Sequence, residues 1–188
     1  MMDLLKLTSY CWVIMFLYWL YAALQTKTTI KREAGTRRII YLVLVITAFA
    51  LVYSRYFNIS FLNKKLFTPV VYTEYAGLIL CVASLLFAII ARWWLGKNWS
   101  GTVTVKKDHE LIQDGPYRIT RHPIYTGIFL GLAGAAIIQA EVKDVIALIL
   151  LFAGLQMKMA KEEKFMTETF SSYKQYAQKT KRLIPLIY

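Results

Sequence analysis

The chain has 188 residues, 57% apolar and 18% charged, with mean hydropathy +0.44 and formal net charge +12. A soluble domain would carry nearer a quarter charged residues, and here the charges cluster between apolar runs, which is a membrane pattern and argues against nucleic acid as the partner of the basic excess. Cys11 and Cys81 each sit inside an apolar run, and no Cys/His spacing suits zinc, so neither a disulfide framework nor a metal site is expected.

A membrane helix needs roughly 20 mostly apolar residues. In chain order the sequence predicts five spans: Leu7–Leu24, Ile39–Phe57, Val70–Leu95, Ile124–Ala140 and Val142–Met157. The first is long for a signal-peptide core and lacks a small-residue cleavage site, so it is expected to be retained. The last two are short and joined by almost nothing. They read as a tight helical hairpin with Glu141 and Asp144 near its tip. Gly127, Gly131 and Ala135 recur every four residues along the fourth span, a small-residue face suited to close helix packing. The whole chain reads as a single unit, with three spans over residues 1–95 and the hairpin and a C-terminal helix over residues 96–188.

Lysine and arginine set the expected orientation. The loop after span one, the segment after span three and the C-terminal tail hold 18 of the 23 basic residues. That side is expected to be cytoplasmic, with the N-terminus outside. The basic excess then serves topology and attraction to anionic lipid.

Two polar segments fall on the basic side. Gly96–Pro123 is long for a connection, and such loops are usually functional or disordered. Its "TVTVKK" alternation and its Asp114-Gly115-Pro116 turn predict order. Lys161–Lys179 predicts an amphipathic helix, with Phe165, Met166, Phe170, Tyr173 and Tyr176 among lysines and Pro185 beyond its end.

The stretch "LGKNWSGTVTVKKDHELIQDGPYRITRHPIYTGIF", followed by "KMAKEEKFMTETFSSYKQYAQKTKRLIP", resembles the isoprenylcysteine carboxyl methyltransferase family, which is related to the membrane phospholipid methyltransferases. The resemblance covers about Leu95–Pro185 and has the character of a short prokaryotic member. It implies an all-α integral membrane methyltransferase without a Rossmann domain, using S-adenosylmethionine and releasing S-adenosylhomocysteine. It implies no metal, and as acceptor a lipid-like or lipidated molecule in a cell (inner) membrane.

Carried over residue by residue, the resemblance assigns cofactor contacts to His109, Glu110, Leu111 and Ile112 of "HELI". It assigns others to Tyr117 of "GPY", to His122, Pro123, Ile124 and Tyr125 of "HPIY", and to Glu162 of the Glu-Glu pair. Lys158, four residues before Glu162, stands where relatives often have a substrate-side arginine, so Lys158 and Glu162 are the expected catalytic pair. The sequence departs from the pattern at Thr102, where some relatives have glutamine, and at Ser171, where a glycine is common after phenylalanine.

These residue types suit the chemistry. Methyl transfer from a sulfonium needs donor and nucleophile aligned and water excluded. Pro123 steers His122 away from the α region and suits the first turn of span four, where free N–H groups would favour an anion. Each residue also has a plainer role. Arg121, Tyr117 and Tyr125 suit interface anchors, His122 a helix cap, and Lys158 a snorkelling lysine. Three other readings stay open: a phospholipid N-methyltransferase or small-thiol methyltransferase on the same scaffold, a non-catalytic membrane protein, and a small transporter. The last is disfavoured because no charge sits mid-span.

Overall fold

The computed structural model describes residues 3–27, 29–32, 35–54, 59–99, 104–106, 110–185 and 187–188. Among the described residues six α-helices carry the fold: α1 (Leu4–Ala23), α2 (Gly35–Tyr53), α3 (Val71–Leu95), α4 (Pro123–Gln139), α5 (Val142–Thr169) and α6 (Tyr173–Lys179). Two short strands, β1 (Thr29–Arg32) and β2 (Thr104–Lys106), pair antiparallel. The fold is all-helical in class, as expected, with this one small sheet beside the helices. That sheet ties the α1–α2 connection to the α3–α4 connection.

Two helical stretches, Leu4–Ala23 and Val71–Asn98, are long and apolar enough to cross a membrane, while the apolar stretches Arg38–Tyr53 and Pro123–Gln139 are shorter. On α1 and α3 large apolar side chains face outward, among them Ile14, Leu17, Ile79 and Leu86, all more than half exposed. A helix apolar all round yet left uncovered suits lipid rather than water.

α4 lies at the centre of the packing. Against α3 it presents glycines: a Cβ at Gly127 would collide with the Ser84 carbonyl, and one at Gly134 with the Gly77 carbonyl. Backbones this close require residues without side chains. The small-residue face is thus Gly127, Gly131 and Gly134. Ala135 turns instead toward the core formed with Leu132 and with Ala48, Leu51 and Val52 of α2 and Ala147, Leu151 and Leu155 of α5. α1 meets α2 through Trp12 edge-on to Phe49, centroids 4.8 Å apart, and through the Thr8 and Tyr53 hydroxyls at 3.1 Å.

The α4–α5 hairpin turns at Ala140, which takes a left-handed φ of 55°. The α2–α3 connection clamps this turn. Leu66 N–H donates to Ala140 O at 2.7 Å, Val142 N–H to Lys64 O at 3.1 Å, and the Lys65 ammonium reaches Glu141 at 2.8 Å.

The C-terminal region differs from the expected single amphipathic helix. Lys161–Thr169 continues α5, which runs unbroken through 28 residues. The break falls at Phe170–Ser172, where Phe170 is extended. The serines there are weak helix formers that compete locally for backbone hydrogen bonds. α6 then doubles back and buries Tyr173 and Tyr176. Beyond it the tail lies beside the start of α4. Thr120 bridges Lys181, and Leu183 is wholly buried in the α2–α5 core.

Candidate functional site

Where α5 outgrows its apolar half, a cleft of about 210 Å3 opens between α1, α3, α4, α5 and α6. Three distant stretches of sequence converge there. Glu110, Leu111 and Ile112 line one wall, with Tyr117 from the Gly115–Arg118 turn. His122, Ile124 and Tyr125 come from the start of α4, and Lys158 and Glu162 from α5. Pro123 is buried beneath as the first residue of α4 and does not line the cleft. His109 and Thr102 lie outside the described residues.

The geometry centres on Tyr125. Its hydroxyl donates to Glu162 Oε1 at 2.5 Å, and its ring stacks on His122 with centroids 5.5 Å apart and planes 13° from parallel. Lys158 Nζ lies 5.2 Å from the Tyr125 ring centroid and 5.9 Å from that of Tyr41. Lysine and glutamate thus meet the same tyrosine from two sides, one at the ring and one at the hydroxyl. This is the i, i+4 spacing read as a shared helix face.

His122 is held between carboxylates. Its Nδ1 lies 3.5 Å from Glu162 Oε2 and its Nε2 3.1 Å from Glu163 Oε1. Burial opposes a charged ring here, but the hydrogen bonds and charges of Glu162 and Glu163 outweigh it and raise the His122 pKa. The carboxylates respond in turn. Burial alone would raise them, yet His122 and then Lys158 hold Glu162 below the ordinary range. His122 and Arg121 bring Glu163 down to about 2.

The tail docks just before the start of α4. Arg121 N–H donates to Lys181 O at 2.8 Å and His122 N–H to Arg182 O at 3.2 Å. Proline at 123 has no N–H to give.

Aromatic residues complete the walls: Trp19, Trp99, Phe165, Tyr173 and Tyr176. The Tyr176 hydroxyl donates to Tyr117 O at 2.7 Å and so ties α6 to the turn. Burial pushes the Tyr176 phenol up to about 12. Arg92 donates Nη2 to Ala22 O at 2.7 Å and Nη1 to Gly96 O at 2.9 Å, and its guanidinium carbon lies 4.4 Å from the Trp99 ring centroid. It fastens the ends of α1 and α3 behind that wall. At the rim Lys27 Nζ donates to Asn98 Oδ1 at 3.0 Å and lies 3.7 Å from Glu110.

Phe165, Tyr173 and Tyr176 were legible as an apolar face, but that face lines the cleft. Trp19, Trp99 and Asn98 carry no local signal of a site. Only the packing of α1 and α3 brings them in. Glu163 could have been noticed as the second carboxylate of a pair.

The donor set fits S-adenosylmethionine. Carboxylate acceptors suit ribose and amino groups, and aromatic faces suit an adenine ring and a sulfonium cation.

The sequence matches the family described as phospholipid methyltransferase over residues 72–173, more than half of the chain. It is 28% identical over 99 residues to a cobalt-zinc-cadmium resistance protein of Cupriavidus metallidurans, covering 52% of this chain and 44% of that one. It is 33% identical over 96 residues to a protein-S-isoprenylcysteine O-methyltransferase of Schizosaccharomyces pombe, covering 49% and 41%. The chain thus spans less than half the length of either relative. Its fold is similar to that of a eukaryotic intramembrane Ras methyltransferase, an isoprenylcysteine carboxyl methyltransferase, with TM-score 0.60 at 20% identity over 82% of this chain and 55% of that one. The chain belongs to the phospholipid methyltransferase family, and the resemblance of its motifs to the isoprenylcysteine carboxyl methyltransferases is borne out by relatives and fold alike.

Proposed function

We propose that this protein is an S-adenosylmethionine-dependent methyltransferase that acts on a lipid-like or lipidated acceptor at the cytoplasmic face of a membrane. In this reading α1 to α4 and the apolar half of α5 span the bilayer, and the basic segments lie in the cytoplasm. One observation carries the proposal. Nine of the residues that the resemblance assigns, drawn from four separate motifs, line one cleft.

Bound S-adenosylmethionine would supply the electrophilic methyl group. Glu110–Ile112, Tyr117, His122, Tyr125 and Glu162 would hold it, and the aromatic walls would keep water out. Lys158, one turn along α5 toward the apolar half, would meet the acceptor.

The charges of the cleft favour an acceptor that arrives already anionic, such as a carboxylate. A protonated amine must lose a proton before it can attack. His122 has a carboxylate at each ring nitrogen, and Glu162 is already accepting from Tyr125 and held well ionised. Neither is a ready base, and Lys158 would repel an ammonium. A carboxylate needs no base and gains from the lysine.

The test is calorimetric binding of S-adenosylhomocysteine to the detergent-purified chain, then a labelled-methyl assay on total lipid extract and on farnesylcysteine and phosphatidylethanolamine separately. Absence of binding would refute the cofactor reading. Methylation of the amine alone would refute the carboxylate reading.

A further inference from the structure

Glu163 follows Glu162 on α5 but does not line the cleft. Its carboxylate gathers three cationic side chains from two other segments. Oε1 accepts from Arg121 Nε at 2.9 Å and lies 3.1 Å from His122 Nε2, while Oε2 lies 3.1 Å from Arg182 Nη2. Arg121 also closes the end of α6, donating Nη1 to Ala177 O at 2.8 Å and to Thr180 O. Arg182 reaches Gln156 Oε1 at 3.0 Å. One carboxylate thus links α5, the entry to α4 and the tail.

The second part of the argument is the ring it holds. A neutral imidazole has one N–H and one lone pair. With a carboxylate oxygen beside each nitrogen, a neutral His122 would set its lone pair against a negative oxygen. Only the doubly protonated ring satisfies both sides. The groups around it agree. Glu162 and Glu163 face it from α5, with Lys158 one turn away. Tyr125 stacks on it from α4. Arg121 and Arg182 share Glu163 with it, and Tyr173 of α6 and Tyr117 lie within electrostatic reach of the two carboxylates.

We propose that Glu163 is a positioning residue of the cleft: it keeps His122 doubly protonated with Nδ1 turned toward Glu162, and it anchors that ring to the tail through Arg121 and Arg182. His122 then serves the cleft as a fixed donor to Glu162 and a positive charge, not as a proton acceptor. The effect on ligand rests on the methyltransferase reading above, whereas the state of the ring does not.

The chain has two histidines, so His109→Gln leaves one ring to follow by NMR in histidine-labelled, detergent-purified protein. The His122 ring should stay protonated through neutral pH. In Glu163→Gln its midpoint should fall by about one unit or more, the effect of removing an adjacent opposite charge. Glu163→Asp should recover part of that shift, and it serves as the informative variant should Glu163→Gln not fold. S-adenosylhomocysteine affinity of Glu163→Gln should fall further near pH 8.5 than near pH 6, by up to about tenfold for a one-unit shift, since one unit is a tenfold change in the protonated ratio.

Were Glu163 a partner of Arg121 and Arg182 alone, its loss would cost stability and affinity equally at both pH values and leave the His122 midpoint in place. A ring already neutral at pH 7, or a midpoint unmoved in both Glu163 variants, overturns the proposal. Should the unsubstituted chain fail to bind S-adenosylhomocysteine at all, the proposed function falls, and the histidine titration still decides the role of Glu163.

Discussion

Replacing Lys158 with methionine removes a charge while keeping an unbranched side chain of similar length against Tyr41 and Tyr125. Replacing Glu162 with glutamine removes the opposite charge one turn away, about 5.4 Å along the axis. Glu162 accepts from the Tyr125 hydroxyl at 2.5 Å and lies 3.5 Å from His122, with its side chain 22% exposed. A hydrogen bond to a charged group is worth roughly 1.5–3 kcal/mol. Partial exposure favours the lower half of that range, so Glu162→Gln should weaken S-adenosylhomocysteine binding about ten- to fortyfold. Lys158 touches the same tyrosine only at its ring face. Lys158→Met should therefore leave S-adenosylhomocysteine affinity within about threefold. If its charge steadies the acceptor in the transition state, the same 1.5–3 kcal/mol appears as a roughly ten- to more than hundredfold drop in kcat. Lys158→Arg should recover part of the turnover. The assay is paired: calorimetry with S-adenosylhomocysteine and methyl transfer at saturating donor, for all three variants. If Lys158→Met loses S-adenosylhomocysteine affinity as badly as Glu162→Gln, the lysine is a structural partner of the glutamate and its acceptor-side role is wrong.

Gly134→Val drives a branched side chain into the Gly77 carbonyl, so the α3–α4 contact should open and the melting temperature in detergent should drop, with overpacking costs of about 1–3 kcal/mol or more; an unchanged melting curve would contradict the close packing. Tyr176→Phe leaves the Tyr117 carbonyl without its donor, which should cost about 1–3 kcal/mol and speed S-adenosylhomocysteine release in stopped flow. The depressed Glu163 carboxyl stabilises the fold above its ordinary range near 4.5, and that stability is lost as pH falls toward about 2; thermal melts should show an acid-side loss that Glu163→Gln reduces. In a variant freed of Cys11 and Cys81, a cysteine at Asn63 should react with an impermeant reagent from outside the cell and one at Lys107 should not. The reverse pattern would invert the proposed topology.

Much of the helical layout was legible because apolar run length and charge placement are local properties. The ends of α1 and α3 fall within a few residues of the expected spans, and the hairpin tip falls at Ala140–Glu141. The motif residues were legible through resemblance, since Arg-His-Pro-x-Tyr and a downstream Glu-Glu occur together in few contexts. What periodicity could not settle was the C-terminal region. The inward Phe165, Tyr173 and Tyr176 give the same pattern whether a helix lies on a membrane or folds over a cleft. Only the break at Phe170–Ser172 and the burial of both tyrosines separate the two.

The tertiary structure alone decided what surrounds the motif residues. Nothing local to Trp19 or Trp99 marks them as walls of a site; they become so because glycines let α3 and α4 come close and α1 packs against that pair. Nothing local to the tail says that the Lys181 and Arg182 carbonyls will take the Arg121 and His122 amides just before α4. Sequence carried the identity and spacing of the reactive groups, because spacing along one helix is fixed by 3.6 residues per turn. It could not carry their partners, because His122 and Glu163 lie 41 positions apart and meet only when α5 folds back beside the start of α4.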